Sequence, residues 1–256
     1  MPNRDTPDFT PADLGLALSL LSRLPVKLSR SDPDRTMAQS AWAWPVVGVL
    51  VGLLAGFLGL TGHFLGAGPG MSAGITLAAL VMATGALHED GLADTFDGLW
   101  GGSDKSRRLE IMKDSHIGSY GVLALSLTTL LRWSLLTTLF QLGWVLAPVI
   151  AAAALSRVPM AVLLTTLPNA RGSGLSATTG QPKASTILAT IAIAALISIA
   201  LTGTATLAAI FWISLTTIAL ASVAKAKIGG QTGDILGASQ VLAELAALTC
   251  FVAIVT

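Results

Sequence analysis

The residues of this chain that could do chemistry gather in one stretch, His88 to Gly118, the only long polar passage between hydrophobic segments (HEDGLADTFDGLWGGSDKSRRLEIMKDSHIG). Asp90, Asp94 and Asp97 stand at i, i+4 and i+7, so a helix there would point all three carboxylates from one face. Glu110 and Asp114 repeat the i, i+4 spacing, and the Gly98-Leu99-Trp100-Gly101-Gly102-Ser103 run between the groups would break the helix and reverse the chain. The expected form is a helical hairpin presenting two carboxylate pairs to a common space. Carboxylates so crowded repel one another, and burying them unpaired forces proton uptake or a large desolvation cost. A divalent cation removes the conflict: oxygen ligands without thiolates suit Mg²⁺ or Mn²⁺, and Mg²⁺ binds through a few carboxylates plus substrate phosphates. The plainer alternative is a pair of solvated helix ends, neutralised by Lys105, Arg107, Arg108 and Lys113.

Other charges lie within apolar runs. An ionisable group there is costly, faces the bundle interior and takes a partner. Arg157, just before Pro159, is expected to meet a phosphate or the aspartate cluster, and Arg132 is expected to pair structurally with Glu244. In the loop Lys225-Ala226-Lys227-Ile228-Gly229-Gly230-Gln231-Thr232-Gly233-Asp234, glycines let backbone N–H groups approach an anion and two lysines add charge. Arg171-Gly172-Ser173-Gly174 falls on the same side, so three loops could close over one cavity. His88 and His116 flank the acidic stretch as metal or base candidates, against amphipathic packing as the alternative. Trp42, Trp44 and Trp144 are expected to anchor at membrane interfaces; Trp100 could stack on a ring or merely cover its turn.

The elements that must position these residues are apolar helices. The chain of 256 residues is 53% hydrophobic and 11% charged, with a mean hydropathy of +0.73, whereas soluble domains carry about 25% charged residues. A net charge of +1 supplies no basic field for nucleic acid. Cys250, the lone cysteine, cannot form an internal disulfide. We read an all-α polytopic membrane protein, one integral-membrane catalytic domain over 1–256, with seven spans near 41–62, 70–88, 120–140, 143–166, 184–202, 204–224 and 237–256. Residues 1–9 read as a short tail, without the order of a cleaved leader. Thr10 and Pro11 then start an N-terminal interfacial helix whose apolar run, Leu14 to Leu21, is too short to cross, and a polar link covers 31–40. If the acidic stretch faces the cytosol, Arg23, Lys27, Arg30, Arg35, Lys105, Arg107, Arg108, Lys113, Arg171, Lys183, Lys225 and Lys227 face it too, while the opposite loops hold no Lys or Arg.

Against that background, GALHEDGLADTFDGLWGG followed by RRLEIMKDSHIGSYGVLAL closely resembles the cobalamin synthases, the adenosylcobinamide-GDP ribazoletransferases. LLSRLPV at 20–26, WPVVGVLVG at 44–52, LSRVPMAVLL at 155–164 and KIGGQTGDILGASQ at 227–240 match in the family's order across nearly the whole chain. The resemblance implies a multi-pass enzyme of the bacterial inner membrane, active on the cytosolic side. It would join adenosylcobinamide-GDP to alpha-ribazole or its 5'-phosphate, release GMP and require one or two Mg²⁺ ions. It implies membrane lipids as surroundings, no nucleic acid, and a possible homo-oligomer. Glu89, Asp90, Asp94, Asp97 and Asp114 become metal ligands, and Asp114, Asp94 and Lys113 the catalytic set, with Asp114 the first choice of base. Arg157, Arg171, Lys227 and Gly229, Gly230, Gln231, Thr232, Gly233 and Asp234 become phosphate or nucleotide contacts. A weaker likeness links Asp94-x-x-Asp97-Gly98 and Glu110-x-x-x-Asp114 to the CDP-alcohol phosphotransferase signature, from which this chain departs in its shorter spacer, missing Ala-Arg pair and Glu110. A membrane prenyltransferase would carry a second Asp-rich motif where only Asp234 stands, and an ion-coupled transporter would spread its acids through the bilayer.

Overall fold

The computed structural model describes residues 9–26 and 35–256; the tail over 1–8, much of the 31–40 link, and Lys27 and Arg30 lie outside the described residues. Regular structure among the described residues is helical: α1 (Ala12–Leu21), a 3₁₀ segment (Met37–Ala43) running into α2 (Trp44–Phe64), α3 (Pro69–Thr84), α4 (Leu87–Gly101), α5 (Lys105–Ile111) and α6 (Ser119–Gln141). Then follow α7 (Leu146–Leu155), α8 (Val158–Thr166), α9 (Leu175–Thr179), α10 (Ala184–Thr202), α11 (Ala205–Ile228) and α12 (Gly233–Val255). Among the described residues, six helical stretches are long and apolar enough to cross a membrane, with α7 and α8 forming one of them, and α3 with α4 makes a seventh only as a pair bent by 86°. This is a multi-pass helical membrane protein. Its outer faces carry large apolar side chains such as Leu123, Leu127 and Leu130 of α6 and Leu207, Phe211 and Ile218 of α11, a surface suited to hydrocarbon.

The bend corrects the expected span over 70–88. Gly85 and Ala86 both adopt left-handed backbone, φ 65° and 57°, and the alanine accepts that at a cost of roughly 1–2 kcal/mol. The chain turns there, so Leu87 and His88 open α4. In the hairpin the chain reverses inside the expected run, α4 ending at Gly101; what is corrected is the second arm, since α5 has only seven residues and ends before Asp114. Gly98 serves close packing: a Cβ there would lie 2.4 Å from Met112 Cγ and 2.9 Å from the Arg108 carbonyl oxygen.

α12 is the central helix, packed against α4, α6, α7, α8 and α11. α1, too short to cross as expected, packs on the 3₁₀ segment and α2. Its buried Asp13 accepts hydrogen bonds from Arg35 Nη2 at 2.6 Å, Trp42 Nε1 at 2.7 Å and the Thr10 amide at 3.0 Å. Burial pushes the Asp13 carboxyl up, but these donors, Arg35 foremost, hold it below the usual carboxylate range.

Candidate active site

Two helices must cross closely to build the site, and two glycines let them. A Cβ on Gly91 of α4 would lie 2.9 Å from the Asp234 carbonyl oxygen and 3.2 Å from Gly237 Cα; one on Gly237 would lie 3.3 Å from His88 Cα. The crossing sets Asp90 and Asp94, a turn apart on α4, beside Asp234 on the first turn of α12. The carboxylates acting most strongly on Asp94 are those of Asp234 and Asp90, with Arg171 the nearest opposing charge.

The loops are fastened to this corner by backbone. Gly229 ends α11 in left-handed conformation, φ 82°, and a Cβ on Gly230 would sit 2.0 Å from the Pro168 carbonyl oxygen. That approach permits a bridge between Asn169 and Gln231: the Ala170 amide donates to the Gln231 carbonyl at 2.8 Å, and the Gln231 amide to that of Pro168 at 2.9 Å. Asn169 Oδ1 accepts the amides of Arg171 and Gly172 at 3.0 and 2.7 Å. So oriented, Arg171 brings Nη2 to 2.8 Å from Asp234 Oδ2. Thr232 caps α12, accepting from the Ile235 amide at 3.3 Å and donating to Asp234 Oδ2 at 3.1 Å. The expected meeting of loops therefore occurs, between 168–174, 229–234 and α4. It encloses a cavity of about 230 Å³ bordered by α1, α4, α8, α12 and the segment 171–179.

Several expected site residues are engaged elsewhere. Glu89 points into the bundle, where Oε1 lies 3.0 Å from Arg132 Nη2. Asp97 accepts the amides of Gly118 at 2.7 Å and Gly121 at 2.9 Å, capping the start of α6. Asp114 is exposed and bonded to His116 Nδ1 at 2.7 Å; this bond holds the Asp114 carboxyl below the usual range and lifts the His116 imidazole above its own. Lys113 is exposed, Glu110 pairs with Arg107 at 2.8 Å, and Lys227 Nζ donates to the Leu99 carbonyl at 2.7 Å beneath the Trp100 ring. Trp100 thus covers its turn, stacked on Phe96. The common carboxylate face expected across the hairpin is replaced by Asp90, Asp94 and Asp234, with Arg171 among them.

Beneath this corner lies a buried ionic network. Arg132 bridges Glu89 and, as expected, Glu244 at 3.2 Å; Gln240 Nε2 donates to Glu244 Oε2 at 2.9 Å and to Ser156 Oγ at 3.0 Å. Arg157, expected at a phosphate, is fully buried here. It donates to the Ala153 carbonyl at 2.8 Å and Ser156 Oγ at 3.0 Å, 3.8 Å from Glu244. Two arginines and two glutamates make the network neutral, which is what lets them lie inside. The sequence reading missed Gln240 and Ser156; the i, i+4 spacing of Gln240 and Glu244 was the available signal. It also missed Trp44, which is not an interfacial anchor but a buried part of the cavity wall.

Among the described residues, no group of three or more His, Cys, Asp or Glu stands close enough to hold a metal ion by protein ligands alone. A hard cation of the Mg²⁺ type does not need one, since it is commonly held by one or two carboxylates plus substrate phosphates. Asp90 and Asp234, oxygen donors lining one cavity with Asp94 beside them, fit that arrangement.

Membrane-crossing helices that gather carboxylates and a guanidinium around a cavity at one end of the bundle define a polytopic membrane protein with a charged binding site near its surface. The chain belongs to the CobS family, described as cobalamin-5-phosphate synthase, whose match covers residues 13–252; it is a transferase of cobalamin biosynthesis. It is 41% identical over 249 residues to the adenosylcobinamide-GDP ribazoletransferase of Bradyrhizobium diazoefficiens, covering 97% of this chain and 96% of that protein. The protein of the same name from Azorhizobium caulinodans is 43% identical over 93% of this chain and 94% of its own, and that of Mesorhizobium japonicum 39% identical over 92% and 91%. No solved structure matches significantly.

Proposed function

We propose that the corner formed by Asp90, Asp94, Asp234 and Arg171 joins adenosylcobinamide-GDP to alpha-ribazole or its 5'-phosphate, giving adenosylcobalamin or its 5'-phosphate and GMP. The observation that carries this reading is the glycine crossing, which brings acids from two distant parts of the chain onto one cavity with an arginine between them. Arg171 grips the diphosphate of the donor, its planar guanidinium exchanging the Asp234 carboxylate for phosphoryl oxygens. Asp90 and Asp234 would hold Mg²⁺, which when bound supplies charge neutralisation at the diphosphate. Asp94, half-buried beside both, takes the proton of the attacking ribose hydroxyl as the new O–P bond forms and the bond to the GMP oxygen breaks. The base role expected of Asp114 passes to Asp94 because Asp94 lies beside Asp90, Asp234 and Arg171, whereas Asp114 lies in solvent against His116.

The charge distribution supports a bacterial inner membrane with the site toward the cytosol. Lys105, Arg107, Arg108, Lys113, Arg171, Lys183, Lys225 and Lys227 all lie at the site's end of the bundle, and the opposite loops over 65–68, 142–145 and 203–204 contain no Lys or Arg. The test is GMP release by the purified protein in liposomes supplied with adenosylcobinamide-GDP, alpha-ribazole 5'-phosphate and Mg²⁺. Asp94→Asn should lower turnover about 10²-fold or more while leaving membrane insertion intact. A folded wild-type protein that releases no GMP sinks the assignment.

A further inference from the structure

We infer that the cavity beneath the acidic corner is the seat of the acceptor's aromatic base, and that α1 sets which base is accepted. This rests on the activity proposed above. The inner wall is made by Leu20 and Leu21 of α1, Trp44, Met160, Leu164 and Leu236. All but Leu20 are at most 9% exposed, whereas Asp90 is exposed and Asp234 and Arg171 are half-buried. The space is therefore mostly apolar at depth, with His88, Ser176 and Thr179 as buried polar groups in its wall, and charged where it opens.

Size and polarity choose among the parts of the two substrates. Pockets for drug-sized ligands run roughly 300–1,000 Å³, so a cavity of about 230 Å³ takes a bicyclic ring and leaves a corrin macrocycle outside. Guanine would bring several donors and acceptors against an inner wall that is mostly aliphatic carbon, more than the few polar groups there, His88, Ser176 and Thr179, can satisfy. A dimethylbenzimidazole presents methyl-substituted edges and flat faces to leucine, methionine and tryptophan, and has one unsubstituted ring nitrogen. A partner for that nitrogen is present. His88 lines the same cavity, is 2% exposed, and its Nε2 has no hydrogen-bond partner among the described residues. As a neutral imidazole it can donate one N–H to the bare ring nitrogen. With the base at depth, the attached ribose comes to lie at the opening, where its hydroxyl meets Asp94 and the donor's diphosphate.

The proposal is tested by filling the seat. Leu20 is only partly buried, so Leu20→Trp adds volume to the cavity with little demand on the core, and Leu87→Phe does so from α4. Binding of alpha-ribazole alone to the full chain in nanodiscs, without donor or Mg²⁺, should weaken about tenfold or more in either variant. KM for adenosylcobinamide-GDP should move less than about twofold, and an acceptor lacking the two ring methyls should lose about tenfold in kcat/KM on the wild type. Unchanged alpha-ribazole binding in both variants, or a KM effect confined to adenosylcobinamide-GDP, overturns the seat. Wild-type GMP release is read in the same preparation, and its absence overturns the activity reading separately. Should one variant fail to fold, the other decides.

Discussion

Asp97 carries the same side chain as Asp90 and Asp94, yet its carboxylate is taken up by the start of α6. Two backbone amides hold it, and both come from glycines whose missing side chains make the approach possible: a Cβ on Gly118 or Gly121 would lie 2.4 Å from an Asp97 oxygen. Gly121→Ala should therefore push the carboxylate off the start of α6, costing about 1–2 kcal/mol as a lost helix cap, measurable by thermal unfolding in detergent. The sequence lists glycines but not what comes near them, so Asp97 could not be separated from its neighbours by spacing alone. The Arg132–Glu244 pair was legible, because a charge inside an apolar run must find an opposite one. Arg157 obeyed the same rule, but the partner it found was the buried network and not a ligand.

Between elements, the informative contact is the crossing of α4 and α12. Gly91→Ala would place a methyl 2.9 Å from the Asp234 carbonyl oxygen and cost about 1–3 kcal/mol by overpacking, separating Asp90 and Asp94 from Asp234. GMP release should fall while the spans still insert. Gly74→Ala on α3 is the control: nothing lies within 4 Å of its added carbon, so it should be neutral or gain up to about 1 kcal/mol of helix propensity. Hydropathy located the membrane-crossing runs because solvation by lipid depends on composition over a long window. It could not locate the reversal at Gly85 and Ala86, since the apolar count is blind to chain direction. The turn of the acidic hairpin was legible in its glycine run, where α4 ends, but its second arm was not, because α5 stops before Asp114 and the i, i+4 spacing of Glu110 and Asp114 does not fall on one helix.

Across the molecule, the Arg132, Glu89, Glu244 and Arg157 network joins α4, α6, α12 and the α7–α8 junction below the site. Removing one member is worse than removing a pair. Arg132→Met should cost about 3–5 kcal/mol by stranding two carboxylates, seen as easier unfolding in mixed micelles; adding Glu244→Leu should recover part of that loss. An unchanged unfolding midpoint in Arg132→Met would show that the guanidinium carries no such burden. Beyond the Arg132–Glu244 pair, the membership of the network was not legible, for nothing in the sequence marks Glu89, 43 residues from Arg132, as its second partner.

The tether between Asp13 and Arg35 has a consequence for acid. Asp13 titrates below its unfolded value, so the stabilisation it provides is complete above the ordinary carboxylate range and lost as pH falls through the folded value. Protonation would free the N-terminal helix first, while the lipid-embedded helices stay in place. Acid below the ordinary carboxylate range should then abolish alpha-ribazole capture reversibly, at a pH where circular dichroism of the bundle is still unchanged.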